Sequence, residues 1–224
     1  MNNVTITEKY ALCMLKRHNK LCDSYVSSFY LTVSMLLEMM FEGCIEITDK
    51  NEGKIFRFDD NIKILLNTKM PKQAYSQEIY KHLQSIKKDD LSIVKALCSI
   101  SDHNSVIKPI ANILKEKMVK DELISLESKK GLFRTKEIIK VSDEKFKETT
   151  NEIRENLLKT EDLNKETILL TSLLNSTNFI KDIFTKYEKD DLKKRIKEVS
   201  DTEINKYVNV VTKIIAARES VIID

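Results

Sequence analysis

Three observations predict a mainly α-helical fold for this 224-residue sequence. It holds only three glycines and two prolines, whereas hairpin-rich sheets and glycine-rich phosphate loops both consume glycine at their turns. Apolar residues recur at helical spacing through most of the chain. Two short segments switch to strand-like alternation, so the expectation is a single globular helical domain, 1–224, with two short β-hairpins. At this size folding buries roughly 70% of the unfolded chain's surface, enough for a core without disulfide staples.

The elements follow in order. Ile6 to Lys16 carry Tyr10, Leu12, Cys13, Met14 and Leu15 and read as a first helix; Ser27 to Phe41, with Phe29, Tyr30, Val33, Leu36, Leu37 and Met40, read as a second. Gly43 ends it, and Cys44 to Thr48, the turn Asp49 to Gly53 and Lys54 to Phe58 read as a hairpin. Pro71 marks a loop, after which Ser76 to Ile86 and Leu91 to Ile100 form two amphipathic helices. The next helix is the clearest: Ile107, Ile110, Ala111, Leu114 and Met118 fall on one face. Leu123 to Leu126, the polar tip Ser128 to Gly131, and Leu132 to Arg134 then read as a second hairpin. Aligning the two helix-plus-hairpin units, about 33–58 and 107–139, sets Met40 against Met118 and Ile45 against Leu123 and suggests an internal duplication. Ser142 caps a further helix, Ile168 to Leu174 and Asp191 to Val199 continue the helical pattern, and Ser200 with Glu203 opens a last one.

Composition removes whole classes of function. Lys and Arg number 38 against 35 Asp and Glu, a net charge of only +3, so any anion site has to come from local clustering. Cys13, Cys22, Cys44 and Cys98 are far apart among apolar residues, which predicts reduced, buried thiols of a cytosolic protein. The N-terminus lacks a basic segment followed by an apolar one, and the apolar run Phe29 to Phe41 is too short to span a bilayer, so a soluble chain that is not exported is expected. No phosphate loop, nucleophile elbow, His-Glu-x-x-His or Cys-x-x-Cys occurs, and His18, His82 and His103 have no ligand spacing. The acidic pairs Asp59-Asp60, Asp89-Asp90 and Asp190-Asp191 read as solvated caps. No catalytic residue, metal or cofactor is expected.

One segment stands out. Between Lys108 and Lys140, Lys108, Lys115, Lys117, Lys120, Lys129, Lys130, Arg134, Lys136 and Lys140 gather around a hairpin whose tip adjoins Leu132 and Phe133. Cations beside exposed apolar side chains suit an anionic membrane surface, where each nearby Lys or Arg contributes roughly 1 kcal/mol. The expected headgroup ligands are Lys108, Lys115, Lys129, Lys130 and Arg134, with Leu132 and Phe133 entering the interface. Glu116, Asp121, Glu122, Glu127 and Glu137 interrupt the cluster, and a mixed solvated face with Leu132 and Phe133 packed inward is the competing reading. The unit also has the form of a winged-helix DNA reader, although its outward face offers mainly Lys108, Asn112, Lys115 and Glu116 for base readout.

The serial order of Leu36-Leu37-Glu38-Met39-Met40-Phe41-Glu42-Gly43-Cys44-Ile45-Glu46-Ile47, Lys117-Met118-Val119-Lys120-Asp121-Glu122-Leu123-Ile124, Gly131-Leu132-Phe133-Arg134-Thr135 and Lys165-Glu166-Thr167-Ile168-Leu169-Leu170-Thr171-Ser172-Leu173-Leu174 resembles the Golgi phosphoprotein 3 family from about Ile6 to Ala217. The resemblance implies a largely helical, peripheral membrane protein that binds phosphatidylinositol 4-phosphate and, in eukaryotes, the cytosolic tails of Golgi glycosyltransferases. It places the family's headgroup Trp and one Arg at Asp23 and Thr32, and two further arginines at Lys108 and Ala111. One cation of that set remains, a point charge where Arg would offer a fork. The membrane-contacting hairpin of the family corresponds to Lys129, Lys130, Leu132 and Phe133. The sequence lacks the long polar N-terminal extension of eukaryotic members, so a compact, prokaryotic-type member is expected. The functional expectation is a non-enzymatic, cytoplasmic, peripheral membrane-binding module on anionic lipid that acts as an adaptor. A protein client and a homo-oligomer are compatible with it. The alternatives are a winged-helix-like nucleic-acid-binding regulator and a lipid-independent protein scaffold.

Overall fold

The computed structural model describes residues 4–49, 62–86, 91–130, 135–158, 163–188, 190–192, 194–195, 212 and 214–215. Helix dominates, as the sparse glycine predicts. The described elements are α1 (Ile6–His18), α2 (Tyr25–Phe41), β1 (Ile45–Asp49), β2 (Ile62–Leu66), α3 (Ala74–Ser85), β3 (Leu91–Ser92), α4 (Ile93–Ser101), α5 (Asn104–Lys120), β4 (Ile124–Lys130), β5 (Thr135–Val141), α6 (Asp143–Leu158), α7 (Lys165–Ser176) and α8 (Ile180–Ile183).

The apolar run Phe29 to Phe41 is the heart of the core. A helix hydrophobic on every side has to be surrounded, and α2 is buried without interruption from Ser28 to Met39, packed by α1, α4 and α7. Its start is fixed by Ser24, whose side chain accepts the Ser27 N–H in a reciprocal box. On α1, Thr5 and Glu8 form the same device, and ten consecutive residues, Ile6 to Leu15, are buried. The charged members of that run are paired: Lys9 Nζ sits 2.7 Å from Glu152 on α6 and 2.9 Å from Glu166 on α7, and Glu8 lies 2.7 Å from Lys117 on α5. On α5, Ile107, Ile110, Ala111, Leu114 and Met118 are all buried, the stripe that periodicity picks out.

The sheets depart from the expected hairpins. β1 pairs antiparallel with Ile62–Leu66, with Ile47 opposite Ile64 and Ile45 opposite Leu66; the expected partner, 54–58, lies outside the described residues. The inward pairs Ile47–Ile64 and Ile45–Leu66 fix the register of β1 against β2, because register follows the buried face. Leu91–Ser92 adds a third strand beside β2, so this is a three-stranded sheet with Ser92 doubling as the N-cap of α4. The second ribbon is longer than expected, running Ile124–Lys130 against Thr135–Val141. Lys129 and Lys130 are therefore strand residues, and the connection is 131–134, outside the described residues.

The two helix-to-strand junctions share one hydrogen-bond pattern. Cys44 N–H donates to Met39 O at 2.8 Å and Leu123 N–H to Met118 O at 2.9 Å; Gly43 N–H donates to Met40 O at 3.0 Å and Glu122 N–H to Val119 O at 3.1 Å. Each chain reverses through a left-handed residue, Gly43 at φ 74° and Glu122 at φ 57°. This sets Met39 against Met118 and Cys44 against Leu123, one residue off the register drawn from sequence.

Candidate functional site

Asn19 closes α1 in the left-handed conformation, φ 57°, with its N–H donating to Leu15 O at 2.8 Å. Asparagine tolerates that conformation, and the chain turns back across the body there, bringing Lys20, Leu21 and Cys22 against the outer face of α5. Strand β5 supplies the third wall. The result is a cleft of about 280 Å³ lined by Asn19, Lys20, Cys22, Lys108, Asn112 and Lys115 together with Ala111, Leu21, Glu137 and Ile139.

Three lysines from two parts of the chain thus face one space. Lys20 is loosely associated with Asp23 at 3.8 Å. Lys115 is tied to Glu137 across the α5–β5 boundary at 2.7 Å. Lys108 makes no ion pair with any described residue and stands on the wall between this cleft and a second one of about 230 Å³, lined by Asp23, Ser24, Tyr25, Ser28, Ser101, Asp102 and Asn104. Burial pushes the Cys22 thiol up to about 11, with Lys108 pulling weakly the other way, so it is a neutral packing group at physiological pH. Cys13 and Cys44 are buried, while Cys22 and Cys98 are half-buried, and all four are free thiols.

The expected headgroup ligands divide. Lys108 and Lys115 come together in the cleft, but Lys115 is already neutralised by Glu137. Lys129 and Lys130 are exposed on β4; since successive strand residues point to opposite faces, they do not act as a pair. Lys130, opposite Thr135, shares the face of Glu137 and Ile139, whereas Lys129, opposite Lys136, shares the outer face with Glu127. Leu132, Phe133 and Arg134 lie outside the described residues. Of the positions implied by the resemblance, Ala111 and Lys108 line the first cleft and Asp23 the second, but Thr32 is 0% exposed with its hydroxyl donating to Ser28 O at 2.9 Å. Thr32 is core, whereas Ser28, one turn earlier, and Tyr25 are α2 residues that reach the second cleft. Sequence reasoning missed Lys20, Asn112 as a wall of a cavity, and Glu137 as a ligand of Lys115; only the basic and amide character of these residues hinted at a role.

Other chemistry is sparse. Among the described residues no group of His, Cys, Asp and Glu could hold a metal ion. His82 Nε2 lies 3.2 Å from Ser99 Oγ and is driven below its ordinary pKa by burial; His18 packs against Phe179 with ring centroids 6.0 Å apart. No described helix is long and apolar enough to cross a membrane.

Against this geometry, the Golgi phosphoprotein 3 (GPP34) family model matches residues 10–217. The chain belongs to that family. No curated protein matches it significantly. The family match spans all the described helices apart from the first residues of α1, and the mainly helical architecture with two small antiparallel sheets agrees with the fold expected from the resemblance. The α1–α2 connection, α5 and β5, which make the cleft, all lie within the matched range.

Proposed function

We propose that this GPP34 protein is a non-enzymatic peripheral module that docks on anionic lipid headgroups through the cleft between the α1–α2 connection and α5, and that it serves as an adaptor for a protein client. The observation that carries this reading is the convergence of Lys20, Lys108 and Lys115 on one cavity, with Lys130 on the adjoining face of the β4–β5 ribbon. Phosphatidylinositol 4-phosphate is the headgroup the family implies, and a phosphomonoester of that size, carrying more than one negative charge at neutral pH, suits several lysines better than a single fork. Lys108 and Asn112, which a recognition helix would aim at base edges, instead wall the cleft against residues 19–22; this favours the headgroup over a DNA duplex.

Liposome flotation tests the reading with vesicles of neutral lipid, of generic anionic lipid and of phosphatidylinositol 4-phosphate, each at low and physiological salt. Binding to anionic vesicles that weakens with salt is expected. Selective binding to the phosphoinositide assigns the cleft a headgroup specificity; equal binding to every anionic vesicle assigns an electrostatic surface. No binding to any vesicle, with capture of a protein partner in the absence of lipid, contradicts the proposal.

A further inference from the structure

Glu137 is an unexpected occupant of a cationic cleft. Its carboxylate reaches Lys115 Nζ from a different element at 2.7 Å, with the Lys115 side chain 21% exposed and that of Glu137 50% exposed. A half-buried ammonium is costly to leave without a counter-charge, and Glu137, the more solvated side chain of the pair, supplies one. An anion entering between Lys20 and Lys108 therefore meets a negative charge already seated on the third lysine. The same ribbon carries a contrasting pair, Glu127 with Lys140 at 2.6 Å and both more than half exposed, on the opposite face by strand alternation and away from the cleft lining.

We infer that Glu137 is a built-in counter-anion, competing with the headgroup phosphate for Lys115 and so setting how tightly the cleft takes an anionic lipid. The inference rests on the reading of the cleft as a headgroup site. With a ligand absent, Glu137 neutralises Lys115 and ties β5 to α5. With a headgroup bound, the phosphate takes over Lys115 and Glu137 turns to solvent. The exchange makes weakly charged headgroups poor competitors and multiply charged ones good competitors, because only the latter replace the lost Glu137 charge while also engaging Lys108 and Lys20.

The test is sedimentation with phosphatidylcholine vesicles doped with phosphatidylinositol 4-phosphate, comparing the unaltered protein with Glu137→Gln, Glu127→Gln, Lys115→Gln and the two glutamate variants in the Lys115→Gln background. Both glutamate variants change net charge equally and sit at exposed strand positions. Glu137→Gln is expected to tighten binding about five-fold, the effect of one freed cation at an anionic surface, with a smaller gain for Glu127→Gln. In the Lys115→Gln background the advantage of Glu137→Gln is expected to shrink to that of Glu127→Gln. Equal gains from the two glutamates, or a Glu137→Gln gain that survives loss of Lys115, overturn the inference and leave the headgroup reading standing. Failure of both the unaltered protein and Glu137→Gln to bind overturns the two together.

Discussion

The Tyr75 hydroxyl donates to Glu38 Oε1 at 2.8 Å, and the other oxygen of that carboxylate accepts the Thr7 N–H at 3.0 Å. Glu38 is 3% exposed, so a single buried carboxylate on α2 holds the first turn of α1 and the start of α3. In its ionised form it also complements the positive N-terminal end of α1. The cleft depends on this arrangement at one remove, because α1 delivers Asn19 and Lys20 to it.

Burial raises the Glu38 pKa above its ordinary 4.5, against the hydrogen bonds from Thr5, Thr7 and Tyr75 that favour the anion. Between 4.5 and the raised value the folded state holds a proton that the unfolded state has lost. This contribution to stability is therefore full below 4.5 and disappears as pH rises through the folded value. In Glu38→Gln the difference in stability from the unaltered protein is expected to vary with pH over that interval, as the Glu38 slope is removed. Glu38→Ala strips the acceptor from Thr7 and Tyr75 and is expected to cost about 2 to 3 kcal/mol at neutral pH. Urea denaturation across a pH series measures both; a difference that stays constant with pH contradicts the account.

The matching junctions make a reciprocal prediction. Gly43 has a positive φ and no atom near an added Cβ, so Gly43→Ala meets backbone strain alone and is expected to lose about 1 kcal/mol. Glu122 adopts the same region with a side chain, and Glu122→Gly is expected to gain a few tenths to about 1 kcal/mol through relief of that strain. Thermal unfolding reads the pair. Changes of the same sign would mean that the two turns are not energetically alike.

Face alternation on β4 separates two adjacent lysines. Lys130→Glu is expected to weaken binding to anionic vesicles about ten-fold, since the reversed charge lies on the cleft side of the ribbon. Lys129→Glu, on the outer face beside Glu127, is expected to cost less. Equal losses would show that the ribbon meets the bilayer tip-first, with both faces alike.

Much of this fold is legible in the sequence where one element sets its own pattern. The stripe Ile107, Ile110, Ala111, Leu114 and Met118 needs no partner to be recognised, and the mostly apolar Phe29 to Met39, interrupted only by Thr32, Ser34 and Glu38, announces a central helix. The pairing of β1 with Ile62–Leu66 is less legible because Ile62-Lys63-Ile64-Leu65-Leu66 alternates only in part, and its register belongs to the Ile47–Ile64 and Ile45–Leu66 contacts. Burial of Thr32 is hidden because a threonine that donates back to its own helix at Ser28 O enters a core without a polar partner elsewhere. The cleft is hardest to read. Lys108 and Lys115 stand out on α5, but Lys20 and Glu137 join them only through the turn at Asn19 and the packing of β5, which no local pattern encodes.

The proposed docking site for an anionic headgroup is the cleft, with Lys108 as its principal cation. Vesicle flotation of Lys108→Glu beside Lys81→Glu tests it directly, because both reverse one exposed lysine and Lys81, paired with Glu78 on α3, lies outside the cleft lining. Loss of binding by at least about ten-fold for Lys108→Glu, with a much smaller change for Lys81→Glu, is the predicted result. Equal losses from the two would reduce the interaction to net charge, and unchanged binding by Lys108→Glu would contradict the cleft as the docking site.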